Sequence, residues 1–119
     1  MYSERLLDHF QNPRNVGELD APSLTVEVAN PACGDILRLS ARIEDGCVAQ
    51  IRYKTRGCTA SIAAGSALTE LIEGKCRAEL ERLRAADVEA AVDGLIPESK
   101  HAAVLCIDAV RALASRMGG

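Results

Sequence analysis

The chain has 119 residues, 48% hydrophobic and 26% charged, with 14 Lys and Arg against 17 Asp and Glu for a net charge of −3. That length holds one core and not two, so residues 1–119 read as a single domain, and the composition excludes a disordered chain. The acidic balance argues against nucleic acid, no apolar run approaches the roughly 20 residues of a membrane span, and Met1–Arg5 lacks the basic-then-apolar order of an export signal, so a soluble cytoplasmic protein is expected.

Ser3 is a helix N-cap, and Leu6, Leu7 and Phe10 share one face of a short helix that ends before Asn12-Pro13. Pro13 to Pro22 has turn residues and no period, and reads as a mobile loop. Leu24, Val26 and Val28 alternate with polar residues in a strand that stops at Asn30-Pro31. Alternation returns over Ile36 to Ile43, turns at Glu44-Asp45-Gly46, and resumes over Val48 to Tyr53. This pattern predicts a three-stranded antiparallel meander.

The remainder has helical spacing over Thr59 to Ile72, Arg77 to Leu83, Ala86 to Val92 and His101 to Met117, punctuated by Gly74, Gly94 and Pro97. The fold class is α+β, with helices covering one face of the sheet. Aromatic residues are only 3% of the chain, so the core must be built from tightly packed Leu, Ile, Val and Ala. In the last helix, Val104, Ile107, Val110, Ala114 and Met117 form the expected core stripe.

Five cysteines, an odd number in a chain with no export signal, argue against a disulfide framework and leave reduced thiols for metal or sulfur chemistry. Any one of them is equally at home as a small core hydrophobe. Cys33 lies on a turn between the first two strands, and Asp35 follows two positions later, a soft and hard donor pair suited to zinc or iron, although turns also use Gly and Asp for conformation alone. Cys58 lies where the third strand meets a long helix, and the helix N-terminus favours its thiolate. In a meander these two positions share one end of the sheet. His101 opens the last helix and gains weight as a ligand only if that helix start faces the cysteines. Cys47 and Cys76 look incidental, and Cys106 reads as core.

Three segments in order resemble the IscU/NifU-N iron–sulfur scaffolds. They are Asp8-His9-Phe10-Gln11-Asn12-Pro13-Arg14-Asn15-Val16-Gly17, Asn30-Pro31-Ala32-Cys33-Gly34-Asp35 and Gly57-Cys58-Thr59-Ala60-Ser61-Ile62-Ala63. The resemblance implies the IscU/NifU-N (SufE-like) fold and ligation of a [2Fe–2S] cluster, its iron, or zinc by Cys33, Asp35, Cys58 and His101. It also implies a scaffold or carrier role, not that of a turnover enzyme, with no catalytic residue. The partners it implies are a cysteine desulfurase and apo iron–sulfur acceptor proteins.

The third family motif departs. Its histidine matches His101, but Ala102 stands where the family has the cysteine that commonly accepts persulfide sulfur. The segment Leu95-Ile96-Pro97-Glu98-Ser99-Lys100 differs from the Leu-Pro-Pro form read by an Hsp70-type chaperone, so that partner is not carried over. The spacing from Cys58 to Ala102 leaves no room for the insertion of the SufU branch. Two other readings compete. One is a degenerate member that binds metal or regulates a desulfurase without building clusters. The other is a zinc-bound sulfurtransferase-like protein with Cys58 or Cys33 as nucleophile.

Overall fold

A computed structural model describes residues 2–32 and 34–117. Strands β1 (Leu24–Asn30), β2 (Asp35–Glu44) and β3 (Cys47–Arg56) form one antiparallel sheet in the order β1-β2-β3. Helix α1 (Glu4–Gln11) precedes the sheet, and α2 (Thr59–Ile72), α3 (Arg77–Arg82), α4 (Ala85–Ala91) and α5 (His101–Arg116) follow it, with a 3-10 turn at Pro97–Ser99 before α5. The expected meander and helices are present, each within a few residues of its expected bounds. Among the described residues no helix is long and apolar enough to cross a membrane.

The sheet is two-faced because its side chains alternate. Val26, Leu39 and Tyr53 are aligned across the three strands and buried, as are Ala41 and Ile51 across β2 and β3. Asp35 has the same parity as Leu37, Leu39 and Ala41, so the first residue of β2 places a carboxylate at the end of the buried face, where it is 5% exposed. The β2–β3 connection is the two-residue turn Asp45-Gly46, both at positive φ (54° and 76°), which matches the twist of a tight hairpin.

The buried face is covered mainly by α2 against β3 and α5 against β1. Ala60, Ala63, Ala64 and Ala67 of α2 are all buried, which is how a core almost without aromatics is filled. Gly65 brings α2 closest, since a Cβ there would lie 2.7 Å from the Tyr53 ring. The Tyr53 hydroxyl donates to the Ile62 carbonyl at 2.9 Å, satisfying the one polar atom of that buried side chain, and burial pushes its pKa up to about 12.

Four expectations need correction. The Pro13–Pro22 loop is tied down. Tyr53 N–H donates to Asn15 O at 2.8 Å, Gly17 N–H donates to Tyr53 O at 2.9 Å, and Leu19 N–H donates to the buried Ser40 hydroxyl at 3.0 Å. The two bonds to Tyr53 occupy part of the free edge of β3, where an unpaired strand would otherwise invite association. In α1 the buried side chains are Leu6 and His9, while Leu7 and Phe10 remain partly exposed. In α5 the expected Val110, Ala114 and Met117 are buried and Ile107 packs partly buried against the core, but Val104 is 53% exposed and the buried face extends to Ala102, Ala103, Cys106, Ala109 and Leu113; a helix this rich in Ala has apolar residues on several faces, so spacing alone places only part of the buried one.

The fourth correction concerns thiols. Cys47 and Cys76 form a disulfide. Gly74 to Cys76 lies alongside the start of β3: Val48 N–H donates to Lys75 O at 2.9 Å, Gly74 N–H donates to Val48 O at 2.7 Å, and Cys47 faces Cys76 in an antiparallel bridge. The bond therefore joins the chain leaving α2 to the hairpin end of β3.

Candidate metal centre

Three elements meet at the end of the sheet opposite the disulfide. Ile36 pairs with Arg56, so the start of β2 lies beside the end of β3 and the turn into α2. Asp35 is thereby brought to Gly57 and Cys58. Cys58 is the N-cap of α2 in an extended conformation, with no side-chain cap bond, so its exposed thiol is free beside the helix N-terminus. His101 opens α5 after the 3-10 turn, and Lys100 is turned away to Glu89 at 2.6 Å.

Asp35, Cys58 and His101 offer one ligand atom each, all within 4.8 Å of one another. His101 Nε2 lies 3.3 Å from Asp35 Oδ2 and 3.7 Å from Cys58 Sγ, and Cys58 Sγ lies 3.8 Å from Asp35 Oδ2. A thiolate, an imidazole and a carboxylate form a mixed donor set of the kind that takes zinc or iron. The fourth expected ligand, Cys33, lies outside the described residues. Its neighbour Gly34, at φ +75°, closes the turn into β2 by donating its N–H to Asn30 O at 2.7 Å.

The carboxylate sits in a cradle. The Ser61 hydroxyl, one turn after Cys58 on α2, donates to Asp35 Oδ2 at 2.5 Å, and its oxygen lies 3.4 Å from Cys58 Sγ. A Cβ at Gly57 would lie 2.7 Å from Asp35 Cγ and 2.8 Å from Oδ1, so the carboxylate packs onto a bare backbone. Sequence reasoning passed over Ser61 and Gly57 as parts of a motif without roles. The available signal was the Cys58-x-x-Ser61 spacing, which puts thiol and hydroxyl on neighbouring turns of one helix face.

The remaining cysteines are elsewhere. Cys106 is 1% exposed in the core, and burial pushes its thiol up to about 12. Ala102 is 1% exposed and belongs to the same core.

The NifU-like N-terminal domain family matches residues 1–117. The iron–sulfur cluster assembly scaffold protein IscU 1 of Archaeoglobus fulgidus is 38% identical over 111 residues, covering 93% of this chain and 72% of that protein. The iron–sulfur cluster assembly scaffold protein IscU of Escherichia coli is 37% identical over 115 residues, covering 93% of this chain and 89% of that protein. Among solved structures, a hypothetical protein aligns with a TM-score of 0.67 at 26% identity, covering 93% of this chain and 92% of that one. A NifU-like protein (N-terminal) from Brucella abortus has the same fold, with a TM-score of 0.65 at 23% identity over 96% of this chain and 80% of that one. With a family match over nearly all of its length and relatives this similar, the chain belongs to the NifU-like N-terminal domain family.

Proposed function

We propose that the protein is an iron–sulfur cluster assembly scaffold that holds iron or a [2Fe–2S] cluster on Asp35, Cys58, His101 and Cys33 and passes it to apo acceptor proteins, with zinc as an alternative occupant. The observation that carries this reading is the convergence of three donor types, from β2, the α2 cap and the start of α5, at a point that the exposed Cys58 thiol leaves open to partners. A histidine and a carboxylate in place of thiolates, at a partly exposed site, suit cargo that must leave. Sulfur comes from a cysteine desulfurase. Of the two free thiols among the described residues, Cys58 is exposed and Cys106 is buried, so Cys58 is the described thiol open to a donor persulfide.

Anaerobic purification followed by iron, zinc and sulfide analysis, then desulfurase-driven reconstitution, tests the reading. A cluster that forms in the wild type and is lost in Cys58→Ala and His101→Ala is the expected result. Stoichiometric metal with no sulfide after reconstitution would instead fit a partner of the desulfurase that assembles nothing, the reading Ala102 would favour.

A further inference from the structure

We infer that Ser61 is a positioning residue that holds the Asp35 carboxylate in the pose from which it ligates, and that the bare Gly57 backbone provides the clearance this pose needs. The inference rests on the reading of Asp35, Cys58 and His101 as a metal centre, and deepens it.

Ser61 is 3% exposed and Asp35 5%, so water does not compete freely for either group. A carboxylate accepts only, which makes Ser61 the donor in their 2.5 Å contact. Its single proton is thereby committed to Asp35. The oxygen that Ser61 holds, Oδ2, is the same one that lies 3.3 Å from His101 Nε2 and 3.8 Å from Cys58 Sγ. Ser61 therefore fixes the carboxylate oxygen that faces the two other donors.

Gly57 is the second half of the device and an independent observation. A Cβ at this position would overlap all three carboxylate heavy atoms, at 2.7, 2.8 and 3.0 Å. No positive φ demands glycine here, so what calls for it is the carboxylate. Outer partners that orient ligands are worth about 10–100-fold in metal affinity.

The test uses the whole chain loaded with Co(II), whose d–d bands report coordination number, and with Zn(II) in competition against a chelator. Ser61→Ala removes the donor, and Gly57→Ala pushes the carboxylate off it without straining the backbone. Both are expected to bind zinc about tenfold more weakly than wild type and to give Co(II) spectra that converge on that of Asp35→Ala, with thermal melts confirming that each is folded. A role in packing alone would lower the melting temperature and leave the spectrum unchanged. A wild-type Co(II) spectrum and zinc affinity in folded Ser61→Ala or Gly57→Ala overturns the inference while leaving the metal centre intact. Failure of the wild type itself to bind either metal removes the metal centre, and the inference with it.

Discussion

The Cys47–Cys76 disulfide closes a loop with a sequence separation of 29, containing β3, the Cys58 cap and α2. Breaking it restores that loop's freedom to the unfolded chain. On the chain-entropy treatment of cross-links, a loop of this length is worth about 3.6 kcal/mol at 25 °C. For 119 residues, an unfolding entropy of about 2.1 cal/mol/K per residue makes that about 14 °C in melting temperature. The assay is a thermal melt of the metal-free protein with and without a phosphine reductant, beside a Cys47→Ser/Cys76→Ser double variant. Wild type should lose about this much on reduction, and the double variant should start near the reduced value and not respond. The site should be spared: β3 has 10 residues, about 30 Å at strand rise, and the metal centre lies at its other end. Zinc affinity of the double variant should thus equal that of wild type at temperatures where both are folded. Equal melts for oxidised and reduced wild type, or a non-reducing peptide map in which Cys47 and Cys76 are both alkylated, would refute the reasoning.

Gly65→Ala should destabilise, because a Cβ 2.7 Å from the Tyr53 ring overpacks a core whose ring is anchored through its hydroxyl. The cost of about 1–3 kcal/mol outweighs the roughly 1 kcal/mol of helix propensity gained, and chemical denaturation measures the difference. His9 is buried, its Nδ1 is 2.8 Å from the Ser66 hydroxyl, and desolvation, helped by Arg14 and opposed by Glu70 at 3.6 Å, holds its pKa below the ordinary 6.5. The unfolded chain then takes up this proton first, so stability is fully present above pH 6.5 and is lost as pH falls through 6.5 toward the lowered folded value; urea midpoints of the metal-free protein at neutral and mildly acidic pH should fall more in wild type than in His9→Gln. Cys106, buried with its thiol pushed up to about 12, should resist iodoacetamide in the native protein while Cys58 reacts. Cys106→Ala should cost on the order of 1 kcal/mol without changing metal content or sulfur loading.

What could be read from the sequence, and what could not, divides along range of interaction. Strands and helices are signalled locally by period-two alternation up to Tyr53, helical spacing from Thr59, and Glu44-Asp45-Gly46 and Gly74 as punctuation, so the meander and α2 were legible, with β3 running on to Arg56. The meeting of Asp35 with Cys58 was legible too, because an antiparallel meander returns the end of β3 to the start of β2. The fit of the carboxylate against Gly57 and Ser61 was not, since it depends on how closely the first turn of α2 approaches β2. His9 was missed because a buried polar residue breaks the apolar pattern from which burial is inferred.

The disulfide shows how a long-range contact still obeys simple lengths. β3 has 10 residues and runs about 30 Å away from the hairpin toward the metal centre. α2 returns in the opposite sense, but its 14 residues at 1.5 Å rise cover only about 21 Å. A helix following a strand of this length therefore stops short of the hairpin by roughly 9 Å. The non-helical residues from Glu73 to Cys76, a turn at Glu73-Gly74 followed by Lys75 and Cys76 alongside β3, supply that distance and bring Cys76 level with Cys47. Had α2 continued as helix through Cys76, the added turn would have risen about 5 Å and left the thiols apart. Glu73 leaves the helical conformation as the C-cap and Gly74, at φ +85°, lies in the left-handed region that a helix cannot adopt, so the turn that ends α2 is also the one that makes the disulfide reachable.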